Sequence, residues 1–161
     1  ILIVDFDVHH GNGTQDIFYE DNSVFYFSVH QHPLFPGTGR PNEIGQGAGE
    51  GYTLNVELPK GSGNNEVIEA FNSKLRPAMD QFRPEFILVS AGFDAHLGDP
   101  LGKLNYTDEG YGVVAEILQD ISQKYADGRT LYMLEGGYNA DNVSQSVEKI
   151  LNVLISTNID N

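Results

Sequence analysis

The chain has 161 residues, of which 40% are hydrophobic and 20% are charged, and this composition indicates one folded domain with a sizeable core rather than a disordered segment. Its 23 acidic and 9 basic side chains give a formal net charge of −14, which argues against a nucleic-acid partner and is compatible with a basic partner or simply with solubility. The absence of cysteine excludes disulfides and thiolate metal sites, and no apolar run has the length of a membrane span.

Five short apolar segments predict β-strands, in chain order ILIV (1–4), VFYFSV (24–29), YTLNVEL (52–58), FILVSA (86–91) and TLYML (130–134). Four of them are almost continuously apolar, which is typical of parallel strands covered on both faces. The segment at 52–58 instead alternates apolar and polar residues, and this alternation indicates an edge strand.

Three longer segments have apolar residues three or four positions apart and predict helices over residues 64–82, 107–126 and 139–155. Pro77 should kink or divide the first of them, because proline cannot donate a backbone hydrogen bond. Thr107 is the predicted N-cap of the second helix, and either Asn139 or Asp141 caps the third. Strands alternating with helices predict an α/β fold with a mainly parallel sheet, as one domain over residues 1–161.

A glycine-rich segment, PGTGRPNEIGQGAGEG, covers residues 36–51 and contains six glycines. Its spacing matches neither of the glycine motifs that cradle phosphates. We therefore interpret it as a surface loop, and the alternative is a loop whose backbone lines a substrate channel.

Polar or ionisable side chains end or follow four of the predicted strands, in chain order Asp5, Asp7 and His9, then Ser28, then Asp94, then Glu135 and Tyr138. Ligands of open parallel sheets bind beyond the carboxyl ends of the strands. Each of these residues has an ordinary structural explanation, such as a helix cap, but together they predict a polar site at one edge of the sheet.

The spacing within DFDVHH predicts a metal site, because alternate residues of an extended segment project to the same side. Packed carboxylates repel one another unless a cation lies between them, and oxygen and nitrogen ligands suit Zn, Mn or Fe. Asp7, His9 and Asp94 would leave one coordination position for water, as in catalytic sites. The Tyr138 hydroxyl could donate a hydrogen bond to an oxyanion, so the residues indicate metal-assisted hydrolysis of an amide-like bond.

Four motifs, DFDVHHGNGTQ, LFPGTGR, SAGFDAHLGDPLG and LEGGYN, occur in this order and together resemble the zinc-dependent histone deacetylase family. That family includes bacterial acetoin-utilisation and acetylpolyamine relatives, and the asparagine of HHGNGTQ is more similar to its class II branch. The resemblance implies an arginase–deacetylase-like α/β fold, zinc held by Asp7, His9 and Asp94, and Tyr138 as the residue that polarises the substrate carbonyl.

The resemblance implies further sites as well. A structural potassium ion would be held by Asp5, Asp7, Ser28 and the backbones of His9 and Val29. A second, weaker cation site would be formed by Phe18, Asp21, Val24 and Tyr52. The acyl-lysine channel would have Phe35 in its wall, Gly136 and Gly137 in its floor and Leu101 at its rim.

The family's catalytic base, a tandem histidine in a Gly-His-His context upstream of the zinc motif, has no counterpart here. The one tandem is His9–His10, and His9 is assigned to the metal. The chain begins at Ile1 directly in a strand, so we expect it to be the C-terminal part of one catalytic domain, inactive alone and with an edge or face of its sheet uncovered. The other histidines, His10, His30, His32 and His96, are expected to be loop residues or to support the ligands.

Several alternatives remain open. A ureohydrolase with two manganese ions is disfavoured because His96 and Asn12 stand where that enzyme class has acidic residues. The substrate would be acetylated lysine of a protein or peptide, or an acetylated polyamine; the apolar Leu101 favours lysine, since some polyamine-selective relatives have glutamate there. A non-catalytic domain that binds acyl-lysine or a partner protein is the third possibility. We expect a cytoplasmic location, no membrane and no nucleic acid, and the sequence does not predict the oligomeric state.

Overall fold

The computed structural model describes residues 1–157, so the last four residues of the predicted domain range lie outside the described part. Its sheet has five strands: β1 Leu2–Asp5, β2 Phe25–Gln31, β3 Thr53–Leu58, β4 Ile87–Ala91 and β5 Thr130–Leu134. Their spatial order is β3-β2-β1-β4-β5, and every neighbouring pair is parallel. The predicted α/β fold with a parallel sheet is confirmed, and β3 is an edge strand as its alternating pattern indicated.

Among residues 1–157, five α-helices connect or flank these strands: α1 Asn12–Phe18, α2 Asn64–Ala70, α3 Arg76–Phe82, α4 Asp108–Tyr125 and α5 Ala140–Thr157. The helix predicted over 64–82 is divided, because a π-helical turn at Phe71–Leu75 separates α2 from α3. Pro77 follows this turn directly and cannot donate the hydrogen bond that a continuous α-helix needs there. Apolar spacing did not reveal α1, which has seven residues and buries only Gln15 fully.

The starts of the two long helices agree with the predicted caps in position. The Asn139 side-chain oxygen accepts hydrogen bonds from the backbone N–H groups of Asp141 and Asn142, at 3.2 and 3.3 Å, so Asn139 rather than Asp141 is the cap. Thr107 precedes α4, but its hydroxyl donates to the Glu109 carboxylate at 3.0 Å instead of capping the backbone.

The main hydrophobic core lies on one face of the sheet. Alternate residues of β1, Leu2 and Val4, are fully buried there with Phe27 and Val89 of the neighbouring strands and with side chains of α2 to α5. On the opposite face a small cluster of Ile3, Val24 and Tyr26 packs against Phe18 of α1. Because α1 is short, this second face is covered only in part.

The prediction that strand TLYML is covered on both faces is wrong. In β5, Leu131, Met133 and Leu134 are 50%, 40% and 67% exposed, whereas Tyr132 packs against the main core. The strand lies at the edge of the sheet, and Leu131 and Met133 alternate with Tyr132, so they project from the opposite face. The expectation of an uncovered edge or face agrees with this exposure. Within residues 1–157, no helix is both long and apolar enough to cross a membrane.

Candidate metal centre

Asp7, His9 and Asp94 converge at the carboxyl edge of the sheet. One ligand atom from each lies within 4.8 Å of the other two, and this is the one such group of three His, Asp or Glu side chains among the described residues. The His9 Nδ1 atom lies 3.0 Å from Asp7 Oδ1 and 3.2 Å from Asp94 Oδ2. They meet because β1 and β4 are parallel neighbours, so the segments that follow them leave the sheet side by side.

Backbone N–H groups fix both carboxylates. Asp7 accepts hydrogen bonds from the N–H groups of His9 at Oδ1 (2.8 Å) and Gly136 at Oδ2 (3.0 Å), and Asp94 Oδ1 accepts one from Val8 at 2.9 Å. Asp94 Oδ2 is buried and accepts no hydrogen bond from the residues that the structure describes. Burial, and next the charge of Asp7, raise the pKa of Asp94 to about 6. A buried acceptor without a donor, beside a second carboxylate and an imidazole nitrogen, fits a cation.

Glycines allow the backbone to approach the two carboxylates closely. A Cβ atom added at Gly136 would lie 2.3 Å from Asp94 Oδ2 and 2.6 Å from Asp7 Oδ2, and one at Gly92 would lie 2.3 Å from Asp7 Oδ2. One at Gly102 would lie 1.8 Å from the Asp94 carbonyl oxygen. These contacts explain three glycines of the quoted motifs, since any side chain there would displace the candidate ligands.

Tyr138 lies in the turn after β5, and its side chain is 57% exposed. Its pKa is raised, chiefly by desolvation and then by the negative charges of Asp94, Asp7 and Asp99. The phenol therefore keeps its proton at neutral pH and can act as a hydrogen-bond donor.

Asp5 and Ser28, predicted for potassium, lie opposite each other on β1 and β2. Asp5 is 4% exposed and accepts hydrogen bonds from the Tyr26 hydroxyl at 3.0 Å and the Asp7 N–H at 3.1 Å. Desolvation is the main reason that the pKa of Asp5 is raised to about 8. The Ser28 hydroxyl bonds with His30 Nδ1 at 2.9 Å. The buried carboxylate suits a cation, and the potassium ion with its Val29 and His9 carbonyl ligands stays a prediction.

The residues of the predicted second cation site lie around the turn between α1 and β2. Asp21 Oδ1 accepts hydrogen bonds from the Ser23 N–H and hydroxyl, both at 2.7 Å. The carbonyl oxygens of Phe18 and Tyr52 accept hydrogen bonds from Asp21 N–H and Tyr26 N–H. Val24 is buried in the small cluster under this turn. The cation itself stays a prediction.

The predicted channel residues lie on loops, and their place in a channel stays a prediction. Phe35 and Leu101 are 79% and 53% exposed, while Gly136 touches both carboxylates and Gly137 packs against Phe93. The Leu34–Arg40 loop is held in place at Gly39, where an added Cβ would lie 2.6 Å from the rings of both His10 and His30. The glycine-rich segment is thus anchored to the rings of His10 and His30, and its role in lining a channel stays a prediction.

The remaining histidines make contacts away from the carboxylate pair. His10 bonds with the Thr38 hydroxyl at 2.8 Å and Gln15 Oε1 at 3.1 Å, and its ring centroid lies 4.8 Å from that of His30, with the two rings tilted. His30 lies on strand β2 rather than in a loop, and burial lowers its pKa to about 4. His32 accepts a hydrogen bond from Arg40 at 2.6 Å. His96 Nε2 faces Asp108 at 3.5 Å.

Sequence reasoning missed a polar network behind this loop. Gln15 donates to Glu43 Oε2 at 2.7 Å, and Glu43 Oε2 also accepts the Gly39 N–H at 3.0 Å. Asn55 of β3 donates to Gln15 Oε1 at 2.7 Å. It also missed Asp99, whose carboxylate contacts the Tyr138 turn. Asp99 lies within the motif GDPLG, which drew attention to this loop. The motif did not reveal the contact, because Tyr138 is 39 residues away in the sequence.

Known proteins are similar to this chain in both sequence and fold. A family model described as the histone deacetylase domain matches residues 1–154. Histone deacetylase 10, chloroplastic, of Oryza sativa is 48% identical over 91% of this chain, and a probable deacetylase of Archaeoglobus fulgidus is 45% identical over 88%. The crystal structure of the HDA15 HD domain superposes with a TM-score of 0.89 at 43% identity, covering 96% of this chain and 44% of that one. The chain spans 33% and 39% of the length of the two sequence relatives.

Proposed function

The chain belongs to the histone deacetylase domain family and resembles its class II branch, and from this membership we propose that it carries the metal-binding part of a zinc-dependent deacetylase. The proposed reaction is hydrolysis of the acetyl amide of acetyl-lysine. The observation that carries the proposal is the convergence of Asp7, His9 and Asp94, with one buried carboxylate oxygen that no described donor satisfies.

Asp7, His9 and Asp94 would hold the zinc ion through one carboxylate oxygen each and the imidazole Nδ1. Two oxygens and one nitrogen are ligands that zinc accepts in catalytic sites, where a further position stays open. When bound, zinc would polarise the acyl carbonyl and activate a water molecule for attack. Asp5, Asp7, Ser28 and the His9 and Val29 carbonyls would hold potassium beneath this site, and Phe18, Asp21, Val24 and Tyr52 a second cation.

The protein's own groups would position and stabilise the reacting amide. The protonated Tyr138 hydroxyl would donate a hydrogen bond to the oxygen of the substrate carbonyl as negative charge develops on it. Phe35 and Leu101 would line the entry of the acyl-lysine side chain, and the Gly136–Gly137 backbone would form its floor. The Gly136 N–H, by bonding to Asp7, would keep that carboxylate oriented.

The proton acceptor would come from outside this chain. His10 uses both ring nitrogens in bonds to Thr38 and Gln15, and His96 faces Asp108. We therefore propose that these residues form the C-terminal part of one catalytic domain whose remaining part supplies the tandem histidine. The cytoplasmic location is likewise a proposal, and two plant relatives carry the word chloroplastic in their names.

The choice of substrate rests on fewer observations. The apolar, half-exposed Leu101 favours acetyl-lysine over an acetylated polyamine, whose ammonium groups would gain from an acidic rim. The direction of His96 toward Asp108 disfavours a second metal beside the first, as a ureohydrolase would need.

Turnover by the intact domain that contains this chain tests the proposal. We expect release of acetate from an acetyl-lysine peptide, loss of that activity after chelation and its return with added zinc. An acetylated diamine and arginine serve as competing substrates. Preference for the diamine would favour the polyamine alternative, urea release from arginine would favour a ureohydrolase, and peptide binding without turnover of any substrate would favour the non-catalytic alternative.

A further inference from the structure

Asp99 connects two loops at the opening of the candidate metal centre. Its side chain is 7% exposed, and one carboxylate oxygen, Oδ1, accepts the N–H groups of Leu101 at 2.8 Å and Gly102 at 3.2 Å. The other oxygen, Oδ2, accepts the N–H of Tyr138 at 2.8 Å. One buried carboxylate therefore organises the loop that carries Leu101 and holds the turn that carries Tyr138.

The turn that carries Tyr138 is held at three successive points. Gly136 bonds to Asp7 through its N–H and to Phe93 through its carbonyl oxygen, at 3.0 and 2.9 Å. The Tyr138 N–H donates a hydrogen bond to Asp99. The Asn139 side chain donates one to the Gly98 carbonyl oxygen at 3.3 Å. Because the Tyr138 side chain is largely exposed, its position depends on its backbone rather than on packing around the ring.

We propose that Asp99 is a positioning residue that sets where the Tyr138 hydroxyl lies over the metal centre. This inference rests on the proposed function, in which that hydroxyl stabilises the developing oxyanion. A donor for an oxyanion acts only when it is aimed at the position that the charge will occupy, so a displaced turn removes its effect. The contacts of its carboxylate are with backbone N–H groups, so Asp99 would act through the Tyr138 backbone and not on the substrate itself.

The Asp99→Asn variant separates this role from general structural support. In one orientation, the asparagine oxygen accepts the N–H groups of Leu101 and Gly102, and its NH₂ group faces the Tyr138 N–H, which then has no acceptor. In the other orientation, the oxygen accepts the Tyr138 N–H, and the bonds to Leu101 and Gly102 are both lost. The substitution therefore breaks the link to Tyr138 selectively while it preserves the size of the side chain.

The experiment uses the intact domain with an acetyl-lysine peptide. We expect Asp99→Asn to lower kcat about 10–100-fold with a smaller change in KM, because misplacement of a reacting group by about 1 Å has effects of that size. Zinc content should stay unchanged, and the Tyr138 amide should exchange its hydrogen faster. Asp120→Asn, an acid on α4 that pairs with Arg76 and has no contact with the turn, is the control and should leave all three quantities unchanged.

A double variant decides whether Asp99 acts through the tyrosine. In a Tyr138→Phe background, Asp99→Asn should lower kcat little further, since the hydroxyl that it positions is already absent. Losses that multiply, or a drop in zinc content, would overturn the inference. If the unmodified domain shows no turnover, the proposed function fails, and the catalytic role fails with it. The exchange rate of the Tyr138 amide would then still decide whether Asp99 holds the turn.

Discussion

Tyr138 differs from Asp7, His9 and Asp94 because it is not one of the candidate metal ligands. Its phenol has a raised pKa and an exposed position, and under the proposed function it would act as a hydrogen-bond donor rather than as a structural group. The metal cluster should therefore assemble without its hydroxyl.

Tyr138→Phe in the intact domain should bind zinc normally and turn over an acetyl-lysine peptide about 10²–10³-fold more slowly, the usual effect of removing one oxyanion donor. The measurements are kcat with saturating peptide and zinc content by elemental analysis. Phenylalanine keeps the ring, so Tyr125→Phe on α4 serves as a control for loss of a phenol elsewhere. An unchanged kcat would remove Tyr138 from the mechanism.

At the scale of single residues, the sequence was sufficient to predict which side chains meet at the ends of the strands. Asp7, His9 and Asp94 could be predicted because alternate residues after one strand and an acid after another must meet if the two strands are parallel neighbours. The contact of Asp99 with Tyr138 could not, because it depends on how two loops fold over each other. The same is true of Gln15 and Glu43, whose partners come from separate loops.

Among the structural elements, the turn after β5 is constrained by what it touches. Gly136 has both candidate carboxylates within 2.6 Å of where a Cβ would be placed. An alanine there requires the turn or the carboxylates to move, and overpacking of this kind is destabilising by about 1–3 kcal/mol.

Gly136→Ala should lower zinc affinity at least about tenfold, because residues that orient metal ligands have effects of that size. Gly13→Ala is the matched control: Gly13 lies inside α1, and an added Cβ meets nothing within 4 Å. The control should bind zinc normally and be unchanged or more stable by about 0.5–1 kcal/mol, since alanine favours helix. Zinc titration and thermal unfolding measure both effects. Equal zinc affinity in the two variants would contradict the close approach at Gly136.

The elements themselves were largely predictable from apolar runs and their spacing. All five strands occur where the sequence indicated them, within two residues at each end. Short runs of β-branched and aromatic residues strongly favour the β-strand conformation. The exposure of β5 was not predictable. A continuously apolar strand has the same sequence pattern whether helices cover both of its faces or only one. The short α1 escaped detection because seven residues hold too few apolar positions to reveal a period.

For the whole molecule, the arrangement of the histidines has a consequence for catalysis. Within the described residues, His9 is the one imidazole in the candidate metal cluster, and His10 has both ring nitrogens engaged elsewhere. Hydrolysis needs a proton acceptor for the attacking water and later a donor for the amine that leaves.

The 161-residue chain by itself should bind zinc yet show no turnover of an acetyl-lysine peptide above the chelated control. General acid–base assistance is worth about 10²–10⁴-fold, and its absence alone brings the rate toward background. The comparison is with the intact domain at equal zinc loading. Strong, chelator-sensitive turnover by the chain would show that a base lies within it, and His10 and His96 would be the first residues to replace.

Zinc binding by Asp94→Asn tests the central claim most directly, because it depends on no assumption about substrate. Asp94 is fully buried and offers the carboxylate oxygen that no described donor satisfies, and the amide removes one negative charge from the site. We expect about one zinc ion per unmodified intact domain and per Asp108→Asn control, and an affinity lowered by at least about 10–100-fold in Asp94→Asn, as even partners outside the ligand set have effects of that size. An Asp94→Asn variant that binds zinc with full stoichiometry and unchanged affinity would contradict the assignment of Asp7, His9 and Asp94 as the metal centre.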